Sequence, residues 1–107
     1  MSEHYVLGAS GEPVATDLMT WALWLETNRE SRRVGYDELD GGVRVSTVFL
    51  GLDHSFGGAV PVLWETMIFN GPHNQYQERY TSRADAIEGH TRALAIAKNP
   101  DNPGAAP

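Results

Sequence analysis

Asp53-His54-Ser55 brings a carboxylate, an imidazole and a hydroxyl together at the head of a loop, Asp53–Ala59, that also holds Phe56 and Gly57-Gly58. These are the groups of acid–base and nucleophilic chemistry: an imidazole oriented by a carboxylate can take a proton from a hydroxyl. A triad is a matter of geometry, however, and sequence neighbours do not converge on one reacting atom by being adjacent. The simpler reading is a turn in which Asp53 bonds nearby backbone and His54 faces water. Glu65 is the other acid of interest, because it falls on an otherwise apolar face of its strand. It reads as a buried acid of raised pKa, as a partner across the sheet for Arg44 or Arg79, or as a residue at the sheet margin. The candidate binding residues are therefore Asp53, His54, Ser55, Phe56, Gly57, Gly58 and Glu65; none is assigned a catalytic role.

Metal ligands are available in His4, His54, His73, His90, Asp53, Glu65 and Glu78, but they do not fall at H-x-x-x-H, H-E-x-x-H or calcium-loop spacing. With no cysteine there is neither a thiolate metal site nor a disulfide framework. Gly57-Gly58 is not a P-loop, and Gly8-x-x-Gly11 lacks the strand–turn–helix setting of a dinucleotide fingerprint. The sequence predicts no metal and no cofactor. His90 lies on the apolar face of a helix and reads as a core or rim histidine with a satisfied hydrogen bond.

The loop must be held by the strands on either side. Val43–Leu52 is the longest strand signal, with Val43, Val45, Thr47 and Phe49 on one face and Arg44, Ser46, Val48, Leu50 and Leu52 on the other. The second face runs from polar to apolar, as in a central strand covered at one end. Val60–Asn70 follows, with Val62, Trp64, Thr66 and Ile68 opposite Leu63, Glu65, Met67 and Phe69. Arg32–Leu39 precedes the pair, joined by Asp40-Gly41-Gly42, in which Asp-Gly suits a tight hairpin. Gln75–Thr81 comes after the Gly71–Asn74 turn as an exposed edge strand. Tyr5-Val6-Leu7 is a short strand candidate. Residues 16–28 read as a helix capped by Thr16, with Leu18, Trp21, Ala22 and Leu25 in an apolar stripe. Ser82–Asn99 reads as a second, Ser82 and Asp85 approximating a capping box and Ala86, Ile87, His90, Ala93, Leu94 and Ala97 forming one face. Gly89 within it costs about 1 kcal/mol against Ala, which a close helix–sheet approach would explain.

These elements predict an α+β fold: a single two-layer sandwich, with an antiparallel meander of three to five strands and two helices packed on one face. At 107 residues the chain is one domain, residues 1–99, followed by a disordered tail at 100–107. The formal charge of −6 argues against direct nucleic-acid binding and suits either a basic protein partner or plain solubility. The basic residues form no run, the densest group being Arg29, Arg32 and Arg33. The lack of cysteine and of an apolar leader segment predicts a cytoplasmic protein, and no apolar run approaches the ~18 residues of a membrane span.

The block VRVSTVFLGLDHSFGGAVPVLWETMIFNGP, followed by QERYTSRADAIEGH, resembles small uncharacterised proteins encoded by bacteriophages and prophages. The shared pattern is a strand ending in STVFLGLDH, a Gly-rich loop, ETM before an apolar pair, then RY, a Ser or Thr, and a helix with GH. It covers roughly residues 4–95, and the chain departs from it at Ala59-Val60, where more Gly and Pro are expected. The resemblance implies a context, an accessory protein in a bacterial host cell, and carries no activity. From it, the size and the charge, the expected function is protein–protein binding through the 53–59 loop or the exposed part of the sheet. The alternatives are a small metal-dependent or hydrolytic enzyme using Asp53, His54 and Glu65, and a structural homodimer paired through the 75–81 edge strand.

Overall fold

A computed structural model describes residues 3–99. The tail expected at 100–107 lies outside the described residues. The fold is α+β, and the described residues form six strands in two antiparallel sheets and three helices. Strands β3 (Arg33–Glu38), β4 (Arg44–Phe49), β5 (Trp64–Phe69) and β6 (Gln77–Tyr80) form a four-stranded meander in that spatial order. β4 and β5 are central, and β6 is the expected edge. The period-2 pattern decides the faces: Val45, Thr47 and Phe49 of β4 and Trp64, Thr66 and Ile68 of β5 are buried, and their alternating neighbours are not. The buried face is covered by α3 (Arg83–Ala97), which crosses all four strands.

The α3 cap is as expected, the Ser82 hydroxyl accepting from the Asp85 N–H at 3.1 Å. The inward face is rotated from the predicted one. Ala86, Gly89, His90, Ala93, Ile96 and Ala97 are buried, whereas Ile87 is exposed and Leu94 half-buried. Small residues lie against the sheet because the helix approaches closely. A Cβ on Gly89 would fall inside the Tyr80 hydroxyl and ring, and one on Gly35 would stand 2.9 Å from three atoms of the His90 ring.

The N-terminal region differs more. Tyr5-Val6-Leu7 belongs to β1 (His4–Leu7), which pairs with a strand the sequence reading missed, β2 (Pro13–Thr16). β1 also docks on the chain just beyond β4. The Tyr5 N–H donates to the Gly51 carbonyl at 2.7 Å, and the Asp53 N–H to the Glu3 carbonyl at 2.9 Å. Gly51, at φ +72°, is required there: a Cβ would lie 2.5 Å from the Tyr5 carbonyl oxygen and 2.6 Å from Trp21 Nε1.

Helix α1 (Leu18–Thr27) is capped by Asp17 rather than Thr16. The Asp17 carboxylate accepts from both the Thr20 N–H, at 2.8 Å, and the Thr20 hydroxyl, at 3.0 Å. Thr16 instead ends β2. The helix does not lie over the sheet beside α3. It packs on β1, reaching the main core through Trp24, edge-on to Phe49 with ring centres 5.8 Å apart. One turn of helix, α2 (Arg29–Arg32), connects it to β3. The β3–β4 turn is a one-turn 3-10 helix, Asp40–Gly42, and the two positive-φ residues are Gly41 and Gly42 rather than Asp40 and Gly41.

Candidate functional site

The Asp53–Ala59 loop is held by its own first residue. The Asp53 carboxylate accepts from the Ser55 N–H at 2.8 Å, the Ser55 hydroxyl at 2.9 Å and the Val62 N–H at 3.0 Å. Partial burial pushes its pKa up, but the hydrogen bonds from Ser55 and Val62 outweigh that, so the pKa lies below the ordinary carboxylate value. Ser55 Oγ thus donates to a carboxylate, and the geometry is that of a turn rather than of an activated nucleophile. His54 is anchored by its backbone, its N–H donating to the Val62 carbonyl at 2.9 Å. Phe56 stands at the tip in a left-handed conformation, φ +55°, with 93% of its surface exposed, followed by Gly57 at φ +90° and Gly58. Of the predicted site residues, Phe56 is the large exposed side chain, with Gly57 and Gly58 exposed beside it.

Glu65 lies on the sheet face away from α3, and its carboxylate accepts from Arg79 Nε at 2.9 Å and Gln77 Nε2 at 2.8 Å. Arg79 is the partner foreseen as one of two; Arg44 instead lies over the Phe69 ring, its Cζ 5.2 Å from the centroid. Asp53 and Glu65 share no partner. Among the described residues, no group of three or more His, Asp or Glu could hold a metal ion. No helix of the described residues is long and apolar enough to cross a membrane. A cleft of about 440 Å³ opens between the β3–β4 turn and the end of α3, lined by Glu38, Leu39, Asp40, Val43, Ala97 and Lys98, none of them a predicted site residue.

The chemistry the sequence reading missed lies beneath α3. Gly35, Thr47, Thr66 and Glu78 form one row across the four strands, and His90 stands over it. His90 Nε2 is 2.7 Å from the Asp37 carboxylate, and its Nδ1 is 2.7 Å from the Thr47 hydroxyl. Thr47 is hydrogen-bonded to Thr66, which lies 2.9 Å from the Tyr80 hydroxyl. Tyr80 in turn reaches Glu78 at 3.0 Å, and Arg92 donates to the same Glu78 oxygen at 2.8 Å. Burial, opposed by the Thr66 hydrogen bond and reinforced by the Glu78 carboxylate, pushes the Tyr80 pKa up to about 12, so its hydroxyl keeps its proton. Asp37, His90 and Thr47 have the connectivity of a carboxylate–imidazole–hydroxyl triad, but the hydroxyls of Thr47 and Thr66 are fully buried. A nucleophile needs room for an electrophile within about 3 Å, and this one is enclosed by helix and sheet. The arrangement satisfies buried polar groups against one another and joins helix to sheet.

Ser46-Thr47, Glu65-Thr66 and Arg79-Tyr80 each send their second residue toward α3 and their first to the opposite face, and Gly89-His90 closes over them. The signal for this cluster was present in the sequence as two threonines amid apolar strand faces.

A second missed feature is on α1. None of its ten residues is buried, Trp21, Ala22, Trp24 and Leu25 being half-buried. Met19 is 70% exposed, Leu23 62% and Leu18 56%, and Val14 of β2 is exposed just before the helix. Met19 and Leu23, one turn apart, form the centre of an apolar outer surface. On the inner side of the helix, Trp21 lies against Gly51, two residues before the Asp53–Ala59 loop. Comparison with protein-family models, with curated proteins and with solved structures finds no match to this chain.

Proposed function

We propose that this protein is a phage or prophage accessory protein that acts by binding another protein, and that the outer surface of α1 is the contact. The observation that supports this reading is the exposure of Leu18, Met19 and Leu23 on a helix with no buried residue. A short apolar helix that leaves three of its seven apolar side chains on solvent is suited to a partner's groove, read as i and i+4 anchors. The occupant is a protein with an apolar groove and a basic rim. The chain carries −6, and Asp17 and Glu26 stand at the two ends of the helix, with Glu30 beyond it beside Arg29, Arg32 and Arg33. The loop residues Asp53, His54, Ser55, Gly57 and Gly58 serve this reading as the frame that presents Phe56. Enzyme chemistry through Asp53, His54 and Glu65 has less support, because each carboxylate is engaged by its own neighbours.

The test is affinity capture from a bacterial host lysate with three baits: wild type, M19E/L23E, and D53A/H54A/F56A. The expected result is one stoichiometric protein, weakened by salt and lost with M19E/L23E. Equal capture by M19E/L23E and wild type would overturn the assignment to α1; loss only with the loop variant would move the site to Phe56. Light scattering on the free protein is the companion measurement, and a dimer dissociated by M19E/L23E would replace the foreign partner with a second copy.

A further inference from the structure

The buried polar chain runs between two carboxylates, Asp37 at one end and Glu78 at the other, and its protons can be counted. Five contacts link Asp37, His90, Thr47, Thr66, Tyr80 and Glu78 in sequence. Each contact needs one proton. Thr47, Thr66 and Tyr80 hold one each and a neutral imidazole holds one, so the neutral side chains supply four.

The polarity is forced from the Glu78 end. Tyr80 has one proton and two acceptors within reach, the Thr66 hydroxyl at 2.9 Å and the Glu78 carboxylate at 3.0 Å. The ionised acceptor makes the stronger bond, so the proton goes to Glu78. Thr66 must then donate to the Tyr80 oxygen, Thr47 to Thr66, and His90 Nδ1 to Thr47. From the other end, the Asp37 carboxylate accepts only, so His90 Nε2 must also donate. The two demands meet at the one group able to donate in both directions.

We infer that the native fold binds one proton in this network beyond the four its neutral side chains hold, and that the proton resides on His90 as an imidazolium bridging Asp37 and Thr47. The charges that face the network then balance: Asp37 from β3 and Glu78 from β6 against His90 and Arg92 from α3, with β4 and β5 contributing only the two threonines and Tyr80 remaining neutral. Tyr76 also lies within electrostatic reach of Glu78 and Arg92. This device is independent of what α1 binds.

The test is nitrogen-15 NMR of the His90 ring in the whole protein, assigned with H90Q, across pH 5–9. At pH 7 both ring nitrogens of wild type should carry protons. T66V supplies the discriminating arm. It alters no charge and does not touch His90, but it frees the Thr47 hydroxyl to turn and donate to Nδ1. In T66V, His90 should therefore shed its second proton at lower pH than in wild type. A neutral ring with one bare nitrogen in wild type at pH 7 overturns the inference. So does a His90 titration that T66V leaves unmoved. Should T66V fail to fold, the wild-type spectrum alone decides.

Discussion

Gly89→Ala separates helix propensity from packing, because the two predict opposite signs. Within a helix, Ala is favoured over Gly by about 1 kcal/mol, so a reading of α3 as an isolated helix predicts stabilisation. In the fold, the added Cβ falls inside the Tyr80 hydroxyl and ring, and Tyr80 is fixed by hydrogen bonds to Thr66 and Glu78. Forcing helix and sheet apart at a packed contact costs about 1–3 kcal/mol. Displacing Tyr80 forfeits two hydrogen bonds at about 1 kcal/mol each. After subtracting the propensity gain, the variant should be destabilised by about 2–4 kcal/mol, a fall in Tm of roughly 10–20 °C for a domain of this size. Thermal and urea unfolding followed by far-ultraviolet circular dichroism measures it. Ala84→Gly is the control: Ala84 is on the exposed side of the same helix, and its loss should cost about 1 kcal/mol. Both substitutions should lower Tm. A Gly89→Ala protein as stable as wild type, or more so, would show that α3 does not approach the sheet as closely as described.

Thr47→Val keeps volume and raises hydropathy at a fully buried site, yet it leaves His90 Nδ1 and Thr66 without their partner. It should destabilise by about 2–3 kcal/mol, read as a shift in urea midpoint with unchanged slope; a stabilised protein would remove the network's structural role. Asp53→Ala should accelerate hydrogen exchange of the Ser55 and Val62 amides while the sheet amides stay protected, since those two bonds are local to the loop. In wild type the same loop should loosen on acidification only. The Asp53 pKa is depressed in the fold, so its contribution is complete above the unfolded value of about 3.9 and lost as pH falls through the native one. Protection of these two amides that persists however far the pH is lowered, with the sheet still folded, would contradict this.

How much of this was legible in the sequence depends on how uniquely each pattern selects a face. On β4 and β5, bulky apolar residues alternate with polar ones, and period 2 leaves no choice of register, so the meander and its buried face follow. On α1, Leu18, Met19, Trp21, Ala22, Leu23, Trp24 and Leu25 run almost all the way round. Periodicity selects nothing there. The stripe beginning at Leu18 was one choice among several, and β1 set the one that formed. On α3 the rule favours large side chains and chose Ile87 and Leu94, whereas the close contact is made by Gly89, Ala93 and Ala97. The unexplained Gly89 was the clue to that contact. The β2 strand escaped because its four residues are mostly exposed and its register comes from pairing with β1.

The polar chain beneath α3 could have been inferred from a stricter use of the same alternation. A buried polar group requires a partner, and leaving one unpaired costs about 1–3 kcal/mol. His90 stood on an apolar helix face, Thr47 among Val45 and Phe49, and Thr66 among Trp64 and Ile68; Glu78 and Tyr80 shared a side of the next strand. Each alone has a bland explanation, because threonine is common in strands. Together they place a polar position on the inner face of three successive strands and of the helix that must cover them. Four such positions cannot be satisfied separately inside a core this small, so they must be satisfied by one another. That reasoning gives the meeting of Thr47, Thr66, Tyr80 and His90 without coordinates. It does not give Asp37, whose partnership with His90 depends on the shift in register between Arg33 and Gly35 and on the missing Cβ of Gly35.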